Sequence, residues 1–137
     1  MSEENVEIVR RVYESSAHHD AEAVLSLYDP EVEWDVSHHP MGQTFEARGS
    51  RHGHEGLRTW FRDWYEAFED FEHHLVELID ADEHVVSVGT DAGRGRESGV
   101  EVDRPIAGVW TIRDGKIVRV AWFATREEAL KAAGLQE

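Results

Sequence analysis

Apolar side chains return at Val6, Val9 and Tyr13, with Ile8 and Val12 beside them, a spacing that stacks them along one side of a helix. It predicts an amphipathic helix over residues 4–17, with Ser2 placed to cap it and Glu3 and Glu4 complementing the positive end of its dipole. A short second helix carries Val24, Leu25, Leu27 and Tyr28, with Asp20 as its cap. Asp29-Pro30 stops it, because the residue before a proline avoids the α region. The alternation in EVEWDV, residues 31–36, is that of a strand. The strongest periodicity joins Leu57, Trp60, Phe61, Trp64, Tyr65 and Phe68, and it predicts a third helix buried along a broad aromatic face.

Beyond residue 70 the period falls to two, or to short apolar runs, in FEHHLVELIDA, EHVVSVGTDAG, GVEVDRPIAGVWTIR and KIVRVAWFAT. These are four strands, divided by Asp80-Ala81-Asp82, by the segment GRGRESG at 93–99, and by the two-residue hairpin turn Asp114-Gly115. Thr125 and Glu128 have capping-box spacing and open a last helix through Ala132, which Gly134 closes by accepting a left-handed conformation. The order α-α-β-α-β-β-β-β-α predicts an α+β fold as one domain over 1–137: a curved antiparallel sheet, cone-shaped, packed against N-terminal helices and followed by a short C-terminal helix. A cone of this kind has an interior pocket.

Charge narrows the partners. Fourteen Lys and Arg stand against 29 Asp and Glu, a formal net charge of −15, which repels a phosphate backbone and an anionic membrane surface. Neither nucleic acid nor membrane is expected as a partner. The chain has no cysteine, so thiolate metal sites and thiol nucleophiles are excluded. The acidic start MSEENVEIVRRVYESS does not read as a signal peptide, and no apolar run approaches the length of a membrane span, so the expected location is cytoplasmic.

Histidine is the remaining source of chemistry. The segment HHPMGQTFEARGSRHGHEG places His38, His39, His52 and His54 near Glu46 and Glu55, types that zinc accepts as ligands. An HxH pair without helical i, i+4 spacing reads better as the loop from a strand into the third helix, with GHEG as the helix entry, Glu55 at the positive end of its dipole, and no metal. His54 then stands nearest the pocket mouth. His18-His19 suit the negative end of the first helix, and of His73-His74 on a strand one points inward, as a pocket base or a satisfied core histidine. GRGRESG precedes a strand, lacks the helix dipole of a phosphate cradle, and reads as a hairpin.

LYDPEVEWD (27–35), GHEGLRTWFRDW (53–64) and WTIRDGKIVRVAWF (110–123) resemble the SnoaL-like branch of the nuclear transport factor 2 and ketosteroid isomerase superfamily, over nearly the whole chain. The resemblance implies the cone fold but no single reaction, since that fold carries isomerases, polyketide cyclases, dehydratases, epoxide hydrolases and binding modules. The isomerases' catalytic Asp at the end of the first strand falls on Asp35 or Val36, and a slip of one residue decides which of them faces the pocket. Of their two oxyanion-hole groups, the Tyr of the first helix falls on Tyr13 or Val12 and the late-strand Asp on Gly108. The cyclases' acid falls on Trp122, and the epoxide hydrolases' Asp-Arg-Asp set has no clear counterpart, though Asp91, Arg94, Arg96 and Asp103 supply charges nearby.

The resemblance thus implies a protein that binds a small hydrophobic molecule, without a cofactor, in a pocket lined by Tyr13, Trp34, Trp64, Trp110 and Trp122. The alternative is an isomerase- or cyclase-type enzyme acting on a polycyclic or hydroxy-ketone substrate, with Asp35 and His54 as acid–base pair. If Trp122 faces inward, Arg119, Ala121 and Phe123 face outward, and the resemblance makes that outer sheet surface a homodimer interface. A third reading is an interaction module without a ligand.

Overall fold

The computed structural model describes residues 2–17, 21–36 and 50–135. The terminal pair His18-His19, the cap at Asp20, and His38, His39 and Glu46 of the histidine loop lie outside the described residues. The elements are α1 (Ser2–Ala17), α2 (Ala21–Leu25), β1 (Tyr28–Asp35), β2 (Ser50–His52), α3 (Gly53–Ala67), β3 (Phe68–Ala81), β4 (His84–Gly95), β5 (Glu101–Arg113), β6 (Lys116–Phe123) and α4 (Arg126–Ala132). No helix among the described residues is long and apolar enough to cross a membrane.

The six strands form one sheet in the order β2-β1-β6-β5-β4-β3. Strands β3 to β6 are the antiparallel meander that the turn residues predict, with Asp114 and Gly115 both at positive φ in the last turn. The sheet is not wholly antiparallel. Strand β1 lies parallel to β6, and the short β2 pairs antiparallel with its other edge. A parallel neighbour is possible because α3 and the whole meander intervene, supplying the long crossover that a hairpin lacks. Pro30 falls inside β1 rather than ahead of it, in the interval between Tyr28 and Glu33 where the pairing with β6 shifts register. Its missing N–H therefore breaks no regular ladder there.

Val32 and Trp34 are buried on the inner side of β1, and Val36 just past its end is buried too, whereas Glu33 and Asp35 turn outward to Arg119. This decides the phase left open by the sequence: Val36 points inward and Asp35 does not. Leu57, Trp60 and Trp64 make the buried stripe of α3. The stripe is narrower than the periodicity predicts, since Tyr65 is 43% exposed and Phe68 is already the first residue of β3, its N–H donated to the Trp64 carbonyl. The inner core joins these residues to Val9 and Val12 of α1 and to Val85, Trp110, Ile117, Val120 and Trp122 of the sheet.

The outer face is divided. Ala129 and Leu130 of α4 cover Val86, Ala107 and Val109, with Phe123 at the margin. Thr125 caps that helix by accepting the Glu128 N–H at 3.1 Å, and Gly134, at φ +82, lets Leu135 N–H reach the Leu130 carbonyl at 2.8 Å. Beside this covered half lies a charged one, in which Arg119 meets Glu33 and Asp35. GRGRESG is the hairpin between β4 and β5, and its Arg96 donates to the Tyr65 carbonyl of α3 at 3.1 Å.

Candidate functional site

Strand alternation places Val85, Ser87 and Asp91 of β4 on the inner face, and the register gives each a neighbour: Asp91 beside His73, Ser87 beside Gly108, and Val85 beside Trp110. Trp122 follows Gly108 across the sheet, and Val120 joins Trp110 to Trp34. A patch of polar groups therefore sits inside a wall of indoles.

Ser87 is its hub. Trp110 Nε1 donates to Ser87 Oγ at 2.8 Å, and the Tyr13 hydroxyl, reaching in from α1, donates to the same oxygen at 3.0 Å. With both lone pairs of Ser87 engaged, its own O–H remains a donor without an acceptor among the described residues. Burial pushes the Tyr13 hydroxyl far above its ordinary range; the Ser87 hydrogen bond pulls it back in part and the negative charge of Asp91 raises it further. Tyr13 therefore stays protonated at neutral pH. Tyr28, raised by burial and by the neighbouring Tyr13, does the same.

Gly108 explains itself at this hub. A Cβ there would stand 2.9 Å from Trp110 Nε1, 3.0 Å from Ser87 Oγ and 3.0 Å from Trp122 Cζ3. The position to which the resemblance assigns an acid is filled instead by two indoles and a hydroxyl.

The second polar group is His73 with Asp91. His73 Nδ1 is in contact with Asp91 Oδ1; the Asp91 side chain is 7% exposed and that of His73 is 34% exposed. The imidazole lies parallel to the Trp122 ring at 6.1 Å, and meets Phe71 and Tyr13 edge-on at 5.2 and 6.1 Å. Asp91 Oδ1, although in contact with the imidazole, is buried without a hydrogen-bond partner, and Arg104 of β5 stands opposite Asp91 in the register. Three further polar atoms, the Tyr28 hydroxyl and the indole N–H groups of Trp34 and Trp122, are buried without hydrogen-bond partners. Their rings form one cluster with Trp110: Trp34 to Trp122 at 5.5 Å, Trp110 to Trp122 at 5.6 Å, and Tyr28 to Trp34 at 6.2 Å.

Tyr13, Trp34, Trp64, Trp110 and Trp122 thus share one core cluster. Asp35 and His54 are not brought together. Arg119 holds Asp35 at 2.7 Å on the outer face, whereas His54 Nε2–H donates to the Tyr28 carbonyl at 3.0 Å, at the opposite end of β1. His54 thereby ties the start of α3 to β1, and Gly53, at φ +72, makes the turn that allows it. The groups that sequence reasoning did not single out together are Ser87, Asp91 and His73. Their signal was parity: in HVVSVGTDAG the polar Ser87 and Asp91 fall on the same phase as the core residue Val85. A separate groove of about 770 Å³ lies outside the core, between α1 and the β3–β4 and β5–β6 turns, lined by Glu4, Asp82, Glu83 and Asp114 among others.

The fold is shared with solved structures. An NTF2-like protein of unknown function from Burkholderia pseudomallei is 23% identical, with a TM-score of 0.79 over 93% of this chain and 95% of that one. TerC, co-crystallized with polyporic acid, is 23% identical, with a TM-score of 0.77 over 96% and 98%. A protein of ketosteroid isomerase-like fold from Catenulispora acidiphila, in complex with trimethylamine, is 16% identical, with a TM-score of 0.72 over 95% and 94%. No curated protein matches the sequence. The SnoaL-like domain matches residues 9–120, and with the sheet, helices and inner core arranged as described, this chain belongs to the SnoaL-like family.

Proposed function

We propose that this protein binds a small, mainly apolar molecule on the inner face of the sheet, with Tyr13, Trp34, Trp64, Trp110 and Trp122 as its aromatic walls. The observation that carries the proposal is the unsatisfied polarity of that wall, the Tyr28 O–H and the Trp34 and Trp122 N–H groups. A buried donor left unpaired costs about 1–3 kcal/mol, an expense that ordinary core packing avoids. Edge-on indole contacts recover only a fraction of it. A ligand that parts these rings and presents oxygen acceptors recovers the rest, entering beside the partly exposed His73. Two proteins of the same fold, TerC and the Catenulispora protein, were captured with small molecules.

Titration with naphthalene-sized apolar probes tests this through tryptophan fluorescence. A saturable change is expected, with affinity reduced about tenfold in Trp122→Phe, the loss of one hydrogen bond with little loss of ring area. A linear, unsaturable response across the panel removes the proposal. An isomerase- or cyclase-type reaction run by Asp35 and His54 is not our reading, because Arg119 and the Tyr28 carbonyl engage those side chains at separate places.

A second copy of the chain is the partner we propose for the outer sheet face. Its half outside α4 presents Glu33, Asp35 and Arg119, charges of both signs that an antiparallel two-fold copy complements. Light scattering of the purified chain is expected to give twice the monomer mass, and a monomer at all concentrations rejects the pairing.

A further inference from the structure

The sheet is interrupted at one corner. Where β3 pairs with β4 the register shifts between Glu69 and Glu72, so that Asp70, at φ 54, and Phe71 stand opposite the single Gly93, whose Cβ would meet Phe71 Cδ2 at 3.1 Å. A bulge facing a glycine is where a sheet bends. Beyond it the ladder continues through Phe68–Gly95 and Glu69–Arg94, and the chain turns back as the hairpin GRGRESG. That hairpin is tied to the end of α3. Carbonyls in the last turn of a helix lack partners within it, and a cation there complements the dipole. The last turn of α3 has no basic residue of its own. Arg96 brings both a charge and donors from the hairpin: its backbone N–H donates to the Ala67 carbonyl at 3.0 Å and its Nε–H to the Tyr65 carbonyl at 3.1 Å. Beneath this corner runs an apolar path. Phe68 stacks on Trp64 at 5.0 Å, Phe71 lies 4.7 Å from Trp64 and edge-on to His73, and His73 lies parallel to Trp122 of the inner wall.

We propose that the GRGRESG hairpin is a gate over the inner face, hinged at Gly93 and the Asp70–Phe71 bulge and latched on the end of α3 by Arg96. Swinging the hairpin away from α3 breaks the two Arg96 bonds and parts Gly93 from Phe71 and Phe68, which opens the way past the partly exposed His73 to the indoles. The other arginine of the hairpin takes no part in the latch. Arg94 donates to Glu101 across the hairpin at 2.9 Å and travels with it. Because the same latch closes the free and the occupied protein, it sets how fast a molecule enters and leaves, and not how tightly it is held.

The gate rests on the reading that the inner face takes a small molecule, and two measurements on the whole chain keep the two apart. Amide hydrogen exchange followed by NMR needs no ligand. In Arg96→Ala the backbone amide at position 96 is expected to lose about fivefold in protection, the worth of one hydrogen bond, while the paired residues Val85 and Trp110 within the sheet keep theirs. Arg94→Ala is expected to change neither. Stopped-flow binding of N-phenylnaphthylamine then reads the passage: Arg96→Ala is expected to raise the association and dissociation rates about fivefold each and to leave the affinity within about twofold. Unchanged protection at position 96 overturns the latch. A loss that spreads to Val85 and Trp110 makes Arg96 a support of the whole fold and overturns the gate. Faster exchange with unaltered probe rates also overturns the gate, and small-molecule binding survives it. If the unmodified chain does not bind the probe, both readings fall.

Discussion

Asp35 and Asp91 belong to the same sheet and meet opposite surroundings. Asp35 leaves β1 on the outer face, 16% exposed, and Arg119 reaches it at 2.7 Å while also bonding Glu33 at 3.3 Å. Asp91 leaves β4 on the inner face, 7% exposed, and faces a histidine of β3. The outer carboxylate has a permanent cation and water near at hand, so its interactions are complete without anything else. The inner one lies against His73, and its Oδ1 is buried without a hydrogen-bond partner. The face that carries the more complete ion pair is therefore the structural face, and the face with the incomplete polar groups is the one to probe for chemistry.

Substitutions on the two faces can break or sharpen that contrast. The largest effect is expected for Trp110→Ala, which removes a fully buried indole together with a hydrogen bond to Ser87; about 3–5 kcal/mol of stability should vanish in urea denaturation. A small loss would mean that the inner face is loosely packed. Gly108→Ala comes next. Its methyl meets Trp110, Ser87 and Trp122 at 3.0 Å or less, and overpacking of this kind costs about 1–3 kcal/mol. Unaltered stability there would show that the two indoles yield easily.

Alkaline pH tests the same face without a mutation. Tyr13 and Tyr28 hold their protons to higher pH in the folded chain than in the unfolded one, where the ordinary value of 10.0 applies. Above that value the unfolded chain binds fewer protons than the folded chain, so stability falls as pH rises. Tyrosinate absorbance from these two residues should emerge together with unfolding, and that of Tyr65, raised but partly exposed, ahead of it. The smallest effect belongs to the outer face: Asp35→Asn should cost about 1 kcal/mol or less and leave probe binding untouched. A large binding defect in that variant would undo the division between the faces.

Much of the fold was legible because periodicity records burial. The spacing of Leu57, Trp60 and Trp64 gave α3, the alternation around Val85 and Val109 gave the meander, and Thr125 with Glu128 and Gly134 marked both ends of α4. What periodicity does not record is which distant strand becomes a neighbour, so the parallel union of β1 with β6 was invisible. The site was half legible for the same reason. Its aromatic walls could be named from their phases, but the meeting of His73 with Asp91, and of Tyr13 with Ser87 across 74 positions, depends on register and on how α1 lies over the sheet. Asp35 was marked by the resemblance to the isomerases and His54 by its place at the entry to α3. A full turn of helix entry and one step of strand phase carried them to different places.

The parallel pairing of β1 with β6 has a consequence for how the chain reaches its native state. Trp34 is completed on one side by Val120, and Glu33 and Asp35 find their counterion 86 and 84 positions later in Arg119. As synthesis proceeds, the first two helices and β1 emerge with their apolar faces uncovered and no partner strand yet in existence. Closing a loop of that length comes late and sets a slow, non-local step, during which Val32 and Trp34 are open to association with other nascent chains.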